Sequence, residues 1–433
     1  MSGNSERAIQ RAIDTVWRME SAKIIAKVAR MVRDVGLAEE LAQDALVTAL
    51  ERWPQSGVPD KPGAWLMAVA KNSALDQLRR GKLLARKHEE LGHELALEQE
   101  MALADADLVA SDDDDYGDDL LRLIFTACHP VLSTEARIAL TLRLLGGLTT
   151  DEIARAFLVP EPTVAQRIVR AKRTLTEARV PFEVPDADQR EARLASVLEV
   201  LYLVFNEGYS ATSGGDWMRP ALCEEALRLG RILAELAPRE PEVHGLVALM
   251  EIQTSRAKAR TGPSGEPILL LEQNRARWDH LLIRRGLTAL ERAQALGGAL
   301  GPYALQAAIA ACHARAPSAA ETDWPRIAAL YDALAQLAPS PVVELNRAVA
   351  LAMAFGPAAG LELADALLSE PLMKNYHLLP SVRADFLLKL GRLDEARAEF
   401  TRAASLTRNL RERELLLARA AACEPGSAPP QLP

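Results

Sequence analysis

The stretch GLTTDEIARAFLVPEPTVAQRIVRAKRTL, residues 147–175, predicts a pair of helices joined by a short turn. Thr149 and Glu152 have the spacing of a capping box, in which each side chain bonds the backbone N–H of the other residue, and this pair opens the first helix. A turn follows at residues 158–160, and Pro162 opens the second helix. This arrangement is typical of a helix-turn-helix, whose second helix enters the major groove of DNA.

The second helix of this motif is amphipathic. Its buried stripe is predicted from apolar residues at i, i+4, i+7 and i+11, which are Val164, Ile168, Ala171 and Leu175. The opposite face contains Gln166, Val169, Arg170 and Arg173, with Arg167 and Lys172 beside them. Gln and Arg side chains hydrogen-bond base edges, so this face is suited to reading DNA. Because helix pairs are common, a charged face that is merely solvated is the alternative interpretation.

Upstream of the motif, residues 5–80 also predict helices. The segment LAEELAQDALVTALERW (37–53) has apolar residues at helical spacing and a polar face made of Glu39, Glu40, Gln43, Asp44 and Glu51. A loop rich in Pro and Gly is predicted at 54–63, and Pro62 is suited to the first turn of the next helix. That helix, PGAWLMAVAKNSALDQLRR (62–80), ends in a basic cluster.

The net charge of −8 is unevenly distributed along the chain. Residues 1–88 carry 15 basic and 10 acidic side chains, and residues 120–180 carry nine basic and five acidic ones. Between these segments, residues 89–119 contain 13 Asp or Glu and no Lys or Arg. Like charges at this density repel one another, so we expect a flexible acidic linker there. Two mildly basic segments, each suited to nucleic acid, therefore flank an acidic one.

The composition predicts an all-α protein of two to four domains. Of the 433 residues, 49% are hydrophobic, 25% are charged and only 4% are aromatic, which excludes an all-β fold. The four cysteines, Cys128, Cys223, Cys312 and Cys423, are too widely separated for a disulfide framework or a zinc ribbon. The uncharged stretch 293–312 contains Pro302 and three glycines, so a packed helix pair is expected there instead of a membrane span. We expect a cytoplasmic, soluble protein without a metal or cofactor.

A weak internal repeat is present in residues 190–422. Ala226, Gly230, Leu233 and Pro238 have the same relative spacing as Ile327, Tyr331, Leu334 and Pro339, and Ala396, Phe400 and Ala403 repeat the first three. The two prolines are 101 residues apart, close to three periods of the tetratricopeptide (TPR) repeat. Stacked helix pairs of this kind form surfaces for peptides or protein partners. A plain helical bundle is the alternative, and residues 423–433 are predicted to be a disordered tail.

The order and spacing of these segments resemble the extracytoplasmic-function (ECF) group of sigma-70 factors. Residues 37–80 resemble sigma region 2, and residues 147–175 resemble sigma region 4, with the acidic linker in the place of region 3. Three further segments resemble the ECF subgroup with a long TPR-like extension: LYLVFNEGYSATSGGDW (201–217), LLLEQNRARWDHLLIRRG (269–286) and GPYALQAAIAACHARAPSAAETDW (301–324).

The resemblance implies a domain order and a function. The implied segments are sigma region 2 (1–88), an acidic linker (89–119), a helix-turn-helix region 4 (120–183), a TPR-like extension (190–422) and a tail (423–433). The implied function is that of an alternative sigma factor, which recognises −35 and −10 promoter elements and initiates transcription. The implied partners are promoter DNA, the β′ clamp and β flap of core RNA polymerase, and a regulatory protein or ligand on the extension, with no membrane.

The resemblance also implies roles for individual residues. The residues implied for the −35 element are Gln166, Arg167, Val169, Arg170, Lys172 and Arg173. Those implied for the −10 element are Trp65 and Asn72, which would capture a flipped base, and Lys71, Arg79 and Arg80, which would contact phosphates. Those implied for core polymerase are Glu39, Glu40, Gln43 and Asp44. For each set the alternative is structural: Trp65 as core, and the polar and charged residues as solvated surface.

Control by the extension is implied because family members of this kind generally lack a membrane anti-sigma partner, and small YCII-like proteins are associated with them. In one hypothesis, the helical repeats hold regions 2 and 4 until a partner binds. In a second, the acidic run at residues 112–115 competes with DNA for the basic helices.

Two other functions fit parts of the sequence. A polymerase-independent helix-turn-helix transcriptional regulator with a protein-binding repeat domain would need only the motif at 147–175 and the extension. An enzyme would need a site among Asn206, Glu207, Tyr209, Asp216, Trp217, Trp278, Asp279 and His280. No metal-ligand spacing, nucleophile motif or phosphate loop accompanies these residues, so we expect no catalytic residue. The polar residues of 206–217 are better explained as turn and capping chemistry.

Overall fold

The computed structural model describes residues 2–89, 116–157, 159–263, 265–297 and 300–423. Almost all of their regular structure is helical, which confirms the predicted all-α class. The chain divides into two compact units, Met1–Leu201 and Tyr202–Pro433. The predicted linker from residue 90 to 115 and the predicted tail from residue 424 lie outside the described residues.

The first unit begins with three long helices, α1 (Ser2–Val32), α2 (Val35–Ser56) and α3 (Pro62–Glu89). The carboxylate of Asp34 accepts the N–H of Leu37 at 2.8 Å and thereby caps α2. Helix α2 continues through Pro54 to Ser56, so the predicted loop at 54–63 begins too early. Pro54 is tolerated because it lies in the last turn, where its missing N–H costs only one bond before the helix ends.

Five further helices follow in or beyond the first unit: α4 (Tyr116–Ala127), α5 (Thr134–Leu144), α6 (Thr150–Phe157), α7 (Glu161–Glu177) and α8 (Ala187–Tyr209). The capping box forms as predicted. The N–H of Thr149 donates to the Glu152 carboxylate at 2.8 Å, and the N–H of Glu152 donates to Thr149 Oγ1 at 3.1 Å. The predicted stripe of α7 is buried: Val164, Ile168, Ala171 and Leu175. The helix-turn-helix is therefore present.

The predicted acidic linker is wrong at its C-terminal end, because its last four residues belong to α4. The side chain of Asp119 is fully buried. Its carboxylate lies 2.6 Å from Arg122, 3.6 Å from Arg30 and 4.0 Å from Lys27, the last two on α1. Burial raises the pKa of Asp119, and the three cations oppose that change. Because these cations compensate the charge, a residue that repels its sequence neighbours is accommodated in the interior.

The start of α8 packs against the helices that precede it. The guanidinium of Arg137, on α5, donates to Ser196 Oγ, and Ser196 Oγ donates to the carbonyl of Cys128 at 2.7 Å. These contacts are buried, so the first residues of the predicted extension pack against the segment predicted as region 4. The folded first unit extends to residue 201.

The second unit consists of consecutive helices that pack on their neighbours in the chain. After β1 (Ser213–Gly214), they are α9 (Pro220–Leu236), α10 (Pro241–Ser255), α11 (His280–Ala295), α12 (Pro302–Arg315), α13 (Trp324–Leu337), α14 (Pro341–Phe355), α15 (Pro357–Ala366), α16 (Leu378–Lys389), α17 (Leu393–Leu406), β2 (Arg408–Asn409) and α18 (Leu410–Ala421). The predicted repeat positions Ala226, Gly230, Leu233, Ile327, Leu334, Ala396, Phe400 and Ala403 are buried, and Tyr331 is half-buried. That these helices form TPR repeats remains a prediction.

A two-residue parallel pair of strands closes the second unit. Ser213 pairs with Arg408, and Gly214 pairs with Asn409. The amide of Asn409 is buried and donates to the carbonyls of Ala211 and Asp216, at 3.0 and 2.8 Å. The start and the end of the second unit are thus joined by backbone and side-chain hydrogen bonds.

Candidate nucleic-acid and protein interfaces

The outer face of α7 is accessible, as the sequence predicts. Gln166, Val169, Arg170 and Arg173 are exposed, and Arg167 and Lys172 are half-buried. Val169 keeps 65% of its surface in contact with solvent. Arg173 forms an i, i+4 ion pair with Glu177 at 2.6 Å, whereas Lys172 turns towards α2. The face therefore offers an amide, an apolar side chain and two guanidiniums to a ligand.

A second candidate face lies along α3. Trp65, Asn72 and Arg79 are seven residues apart, so they lie on one side of the helix. Trp65 is half-buried, with its ring centre 5.4 Å from that of the buried Trp53 in an edge-to-face contact. Asn72 and Arg79 are exposed, and Arg79 is 3.5 Å from Asp76. The neighbouring Arg80 is exposed and Lys71 is half-buried.

The predicted polar face of α2 is divided by the structure. Glu40 and Asp44 are exposed and Gln43 is half-buried. Glu39, in contrast, is only 2% exposed, so the prediction that it lies on an open acidic surface is wrong. Glu39 can be buried because its carboxylate is surrounded by cations from two other helices.

The Glu39 carboxylate is the centre of a buried ionic cluster. Arg143 Nε, on α5, donates to it at 2.6 Å, and the Lys172 ammonium, on α7, forms an ion pair with its other oxygen. The amide of Gln43 also donates to this carboxylate. A buried carboxylate is tolerated when it is paired and hydrogen-bonded in this way. Glu39, which the resemblance implied for core polymerase, and Lys172, which it implied for DNA, therefore form an ion pair with each other.

Two further contacts join helices of the first unit. The second oxygen of the Asp34 carboxylate accepts the hydroxyl of Thr176 at 3.0 Å, and Arg18 forms an ion pair with Glu152. The N-cap role of Asp34 follows from its position before α2, but no local sequence pattern indicates its contact with α7. Arg143 was likewise missed, because its partner is 104 residues away in the chain.

The polar residues of the enzyme hypothesis have structural roles. Glu207 forms an ion pair with Arg219 and accepts the hydroxyl of Thr212 at 2.9 Å. Asp279 caps α11 by accepting the N–H groups of Leu281 and Leu282. These contacts agree with the prediction of turn and capping chemistry.

The aromatic residues of the same segments pack against Arg260, which is buried, and Arg275, which is half-buried. The guanidinium of Arg260 lies 3.4 Å from the ring centre of Tyr209 and 5.7 Å from that of Trp217, and that of Arg275 lies 4.9 Å from the ring centre of Trp278. Arg260 donates to the carbonyl that ends α8, and burial lowers its pKa. Cations at helix C-termini are favourable, so these arginines stabilise the packing of the second unit.

The cysteine thiols lie in the core of the protein. All four cysteines are buried and free, and burial raises the pKa of Cys128 to about 11 and that of Cys223 to about 12.

Among the residues that the structure describes, no three His, Cys, Asp or Glu side chains are grouped so that they could hold a metal ion. Within the same residues, no helix has the length and apolar character needed to cross a membrane.

Comparison with known protein families matches three segments of the chain. Residues 17–83 match sigma-70 region 2, and residues 122–175 match sigma-70 region 4. Residues 193–294 match a family of unknown function, DUF6596.

Three relatives extend this comparison. An uncharacterised protein of Rhizobium meliloti (strain 1021) is 45% identical over 384 residues, which are 88% of this chain and 89% of that protein. A probable ECF RNA polymerase sigma factor, SigI of Mycobacterium tuberculosis, is 26% identical over 41% of this chain and 59% of its own length. The RNA polymerase sigma-H factor of Pseudomonas aeruginosa is 27% identical over 41% of this chain and 91% of its own length.

Proposed function

The chain belongs to the extracytoplasmic-function group of the sigma-70 family and carries a C-terminal extension, and from this membership we propose the role of each surface. Sigma factors are transcription initiation factors, so the protein acts with core RNA polymerase and promoter DNA. What is proposed below is which residues make these contacts and how they are controlled.

The outer face of α7 binds the −35 element. Gln166 and Arg170 are exposed there and hydrogen-bond base edges in the major groove, while Val169 contacts sugar or a thymine methyl group. Arg167, Lys172 and Arg173 contact phosphates, which fix the position of the helix without reading sequence. The observation that supports this proposal is the exposed, mixed polar and apolar face of a correctly capped helix-turn-helix.

The Trp65–Asn72–Arg79 side of α3 binds the −10 element. A base leaves its stack at a cost of a few kcal/mol, which is offset when a pocket receives it. The half-buried Trp65, held by Trp53, supplies a rigid aromatic edge for that base, and the exposed amide of Asn72 lies two turns further along. Lys71, Arg79 and Arg80 contact phosphates.

The polar face of α2 docks on the β′ clamp of core polymerase. Glu40, Gln43 and Asp44 are accessible for this contact in the structure, and Glu39 joins them only when Arg143 and Lys172 release it. The free protein is therefore in a closed state, in which one polymerase-binding residue and one DNA-binding residue neutralise each other. Productive assembly requires that this contact open.

The extension controls this opening through α8. The first part of α8 anchors on α5, where Arg137 contacts Ser196 and lies 3.0 Å from the Glu199 carboxylate. Arg143 lies on the same helix, less than two turns further on. A regulatory protein or ligand that binds the second unit and displaces α8 disturbs the helix that holds Glu39. The acidic segment at residues 112–115 supplies a second control if it competes with promoter DNA for the basic helices.

Run-off transcription with core polymerase across a whole genome tests the proposed function. Full-length protein and residues 1–201, the first compact unit, are compared. We expect discrete new start sites from one or both proteins. Comparing the start sites of the two proteins shows whether the extension activates or inhibits transcription. Promoter binding that is specific without polymerase, with no new start sites, would instead establish a polymerase-independent regulator. Neutralising residues 112–115 to Asn should strengthen promoter binding at low salt if the acidic segment competes.

A further inference from the structure

A cavity of about 1050 Å³ lies in the first unit, and it shares Arg79 with the face of α3 described above. It is lined by the C-terminal ends of α1 and α7, by the middle of α3, by α4 and by residues 180–183. We infer that this cavity binds a nucleoside polyphosphate, a small ligand that combines several phosphate charges with an apolar base.

The lining of the cavity contains more cations than anions. Five arginines contribute to it: Arg30, Arg33, Arg79, Arg122 and Arg179. Only two carboxylates, Asp34 and Glu183, line the same space. The Asp34 carboxylate is already engaged by the N–H of Leu37 and the hydroxyl of Thr176. Arg30 and Arg122 pair with Asp119, and Arg79 pairs with Asp76, so the cavity keeps only a small positive charge, to which the unpaired Arg33 and Arg179 contribute. Guanidinium groups are the side chains best suited to bind phosphate oxygens in pairs.

Two of these arginines occupy unusual backbone conformations. Arg33 has φ of 55° and Arg179 has φ of 49°, and within the described ranges they are the only residues other than glycine with positive φ. Both follow the end of a helix, a position at which glycine is favoured because it has no Cβ. Neither guanidinium has an ionic or hydrogen-bonding partner among the described residues. Both strained residues line the same cavity, and both have an unpaired guanidinium. Strain of this kind is typically retained at functional sites, so it points to a ligand for these two charges.

The remaining lining is apolar. Met31, Leu75, Leu78, Val180 and Phe182 line the cavity, and each is half-buried. A cavity for inorganic phosphate alone would not need this surface, whereas a purine or pyrimidine base can pack on Phe182 and the two leucines. The combination of unpaired guanidiniums with an aromatic and aliphatic wall is the reason for choosing a nucleotide over a simple anion.

The position of the cavity gives the ligand a regulatory effect. Arg33 and Arg79 belong to the part that matches sigma region 2, and Arg179 directly follows the part that matches region 4. A ligand bound to all three bridges these parts and stabilises the closed state. This consequence rests on the proposed function, but the binding site itself does not.

Isothermal titration calorimetry with the full-length protein tests the inference. GTP, ATP and inorganic tripolyphosphate are titrated at low and at moderate salt. We expect both nucleotides to bind, tripolyphosphate to bind about tenfold more weakly because it lacks the base, and the affinity to fall with salt. Replacing Arg33→Gln and Arg179→Gln together should weaken nucleotide binding by at least about tenfold. Arg190→Gln, an exposed arginine that does not line the cavity, is the matched control and should bind as the native protein does.

A second pair of variants separates loss of binding from loss of fold. Arg33→Gly and Arg179→Gly suit the positive φ at both positions, so the protein should fold and unfold at an unchanged or higher temperature while nucleotide binding is lost. The inference is overturned if neither nucleotide binds, if tripolyphosphate binds as tightly as GTP, or if the arginine variants bind normally. It is also overturned if the arginine variants bind single-stranded DNA more weakly but bind nucleotides as the native protein does, since the cavity would then be a nucleic-acid contact. If the transcription assay shows no new start sites, these titrations still decide whether the cavity binds a nucleotide.

Discussion

The Nε atom of Arg143 lies 2.6 Å from the carboxylate of Glu39, across 104 residues of sequence. This contact and the Lys172–Glu39 ion pair join the helix that we assign to polymerase with the helix that we assign to the −35 element. A protein held in this way cannot use Glu39 and Lys172 for their external ligands without breaking their mutual contact. The energetic consequences of that competition can be measured.

Releasing Glu39 should accelerate association with core polymerase. In the double variant Arg143→Gln, Lys172→Gln, both cations are removed and the closed state is weakened by about 1–3 kcal/mol, because the carboxylate remains buried without a charged partner. We expect a faster association rate in stopped-flow measurements and a lower free energy of unfolding.

Arg173→Gln is the control for this experiment. It removes a positive charge from the same helix, but Arg173 pairs with Glu177 on the outer face and not with Glu39. Equal association rates for the double variant and the control would show that the Glu39 contact does not limit assembly.

The end of the first unit should be detectable by truncation. A protein ending at residue 183 lacks α8, whose first part buries Val197 and Leu201 and contacts Arg137 through Ser196 and Glu199. Removing this part lets water reach Arg137, so the stability that is lost comes mainly from apolar surface that α8 no longer covers. We expect residues 1–183 to unfold at a lower urea concentration than residues 1–201. Equal urea midpoints for the two proteins would show that the first part of α8 does not stabilise the first unit.

Acid should destabilise the second unit through His313. Burial, with Arg256 and Arg275 nearby, lowers the pKa of His313 to about 3 from a usual value of 6.5. Between these two pH values the unfolded chain binds a proton that the folded protein does not. The contribution of neutral His313 is therefore complete above pH 6.5, and it falls by up to about 1.4 kcal/mol per pH unit as the pH decreases towards 3.

Urea unfolding at pH 7.5, 6.5 and 5.5 measures this effect. His313→Phe keeps an aromatic ring against Trp324, which His313 contacts edge to face at 5.2 Å, but it cannot titrate. The variant should lose less stability than the native protein between pH 6.5 and 5.5. Parallel pH dependences for the two proteins would assign the acid sensitivity to other groups.

The cysteines should be unreactive in the folded protein. Each thiol is buried, and burial raises the pKa of Cys128 to about 11, so the nucleophilic thiolate is scarce at neutral pH. We expect no thiol to react with Ellman's reagent within minutes at pH 8, and all four to react in denaturant. Rapid reaction of one thiol under native conditions would identify a segment that opens locally.

Local sequence patterns predicted the parts of the fold that depend on neighbours in the chain. Thr149 and Glu152 are three residues apart, so their capping box could be read directly, and the stripe of α7 followed from helical periodicity. The exposed Gln166 and Arg170 were predicted for the same reason. The faces assigned to DNA therefore needed no tertiary information.

The errors concern charges whose partners are far away in sequence. Glu39 was placed on an open face because its neighbours in α2 are polar, yet its cations come from α5 and α7. Asp119 was assigned to a repelling acidic linker, yet Lys27 and Arg30 of α1 compensate it. A pattern within one segment carries no information about such partners, and the arginine-lined cavity was missed for the same reason.

The parallel pairing of Ser213–Gly214 with Arg408–Asn409 has a consequence for synthesis of the protein. Ribosomes add about 5–20 residues per second, so roughly 10–40 s separate the emergence of the first strand from that of the second. Throughout this interval the first unit is complete, whereas the second lacks the strand that closes it. A newly made molecule can thus fold its first 201 residues, and meet polymerase, before the second unit is able to close.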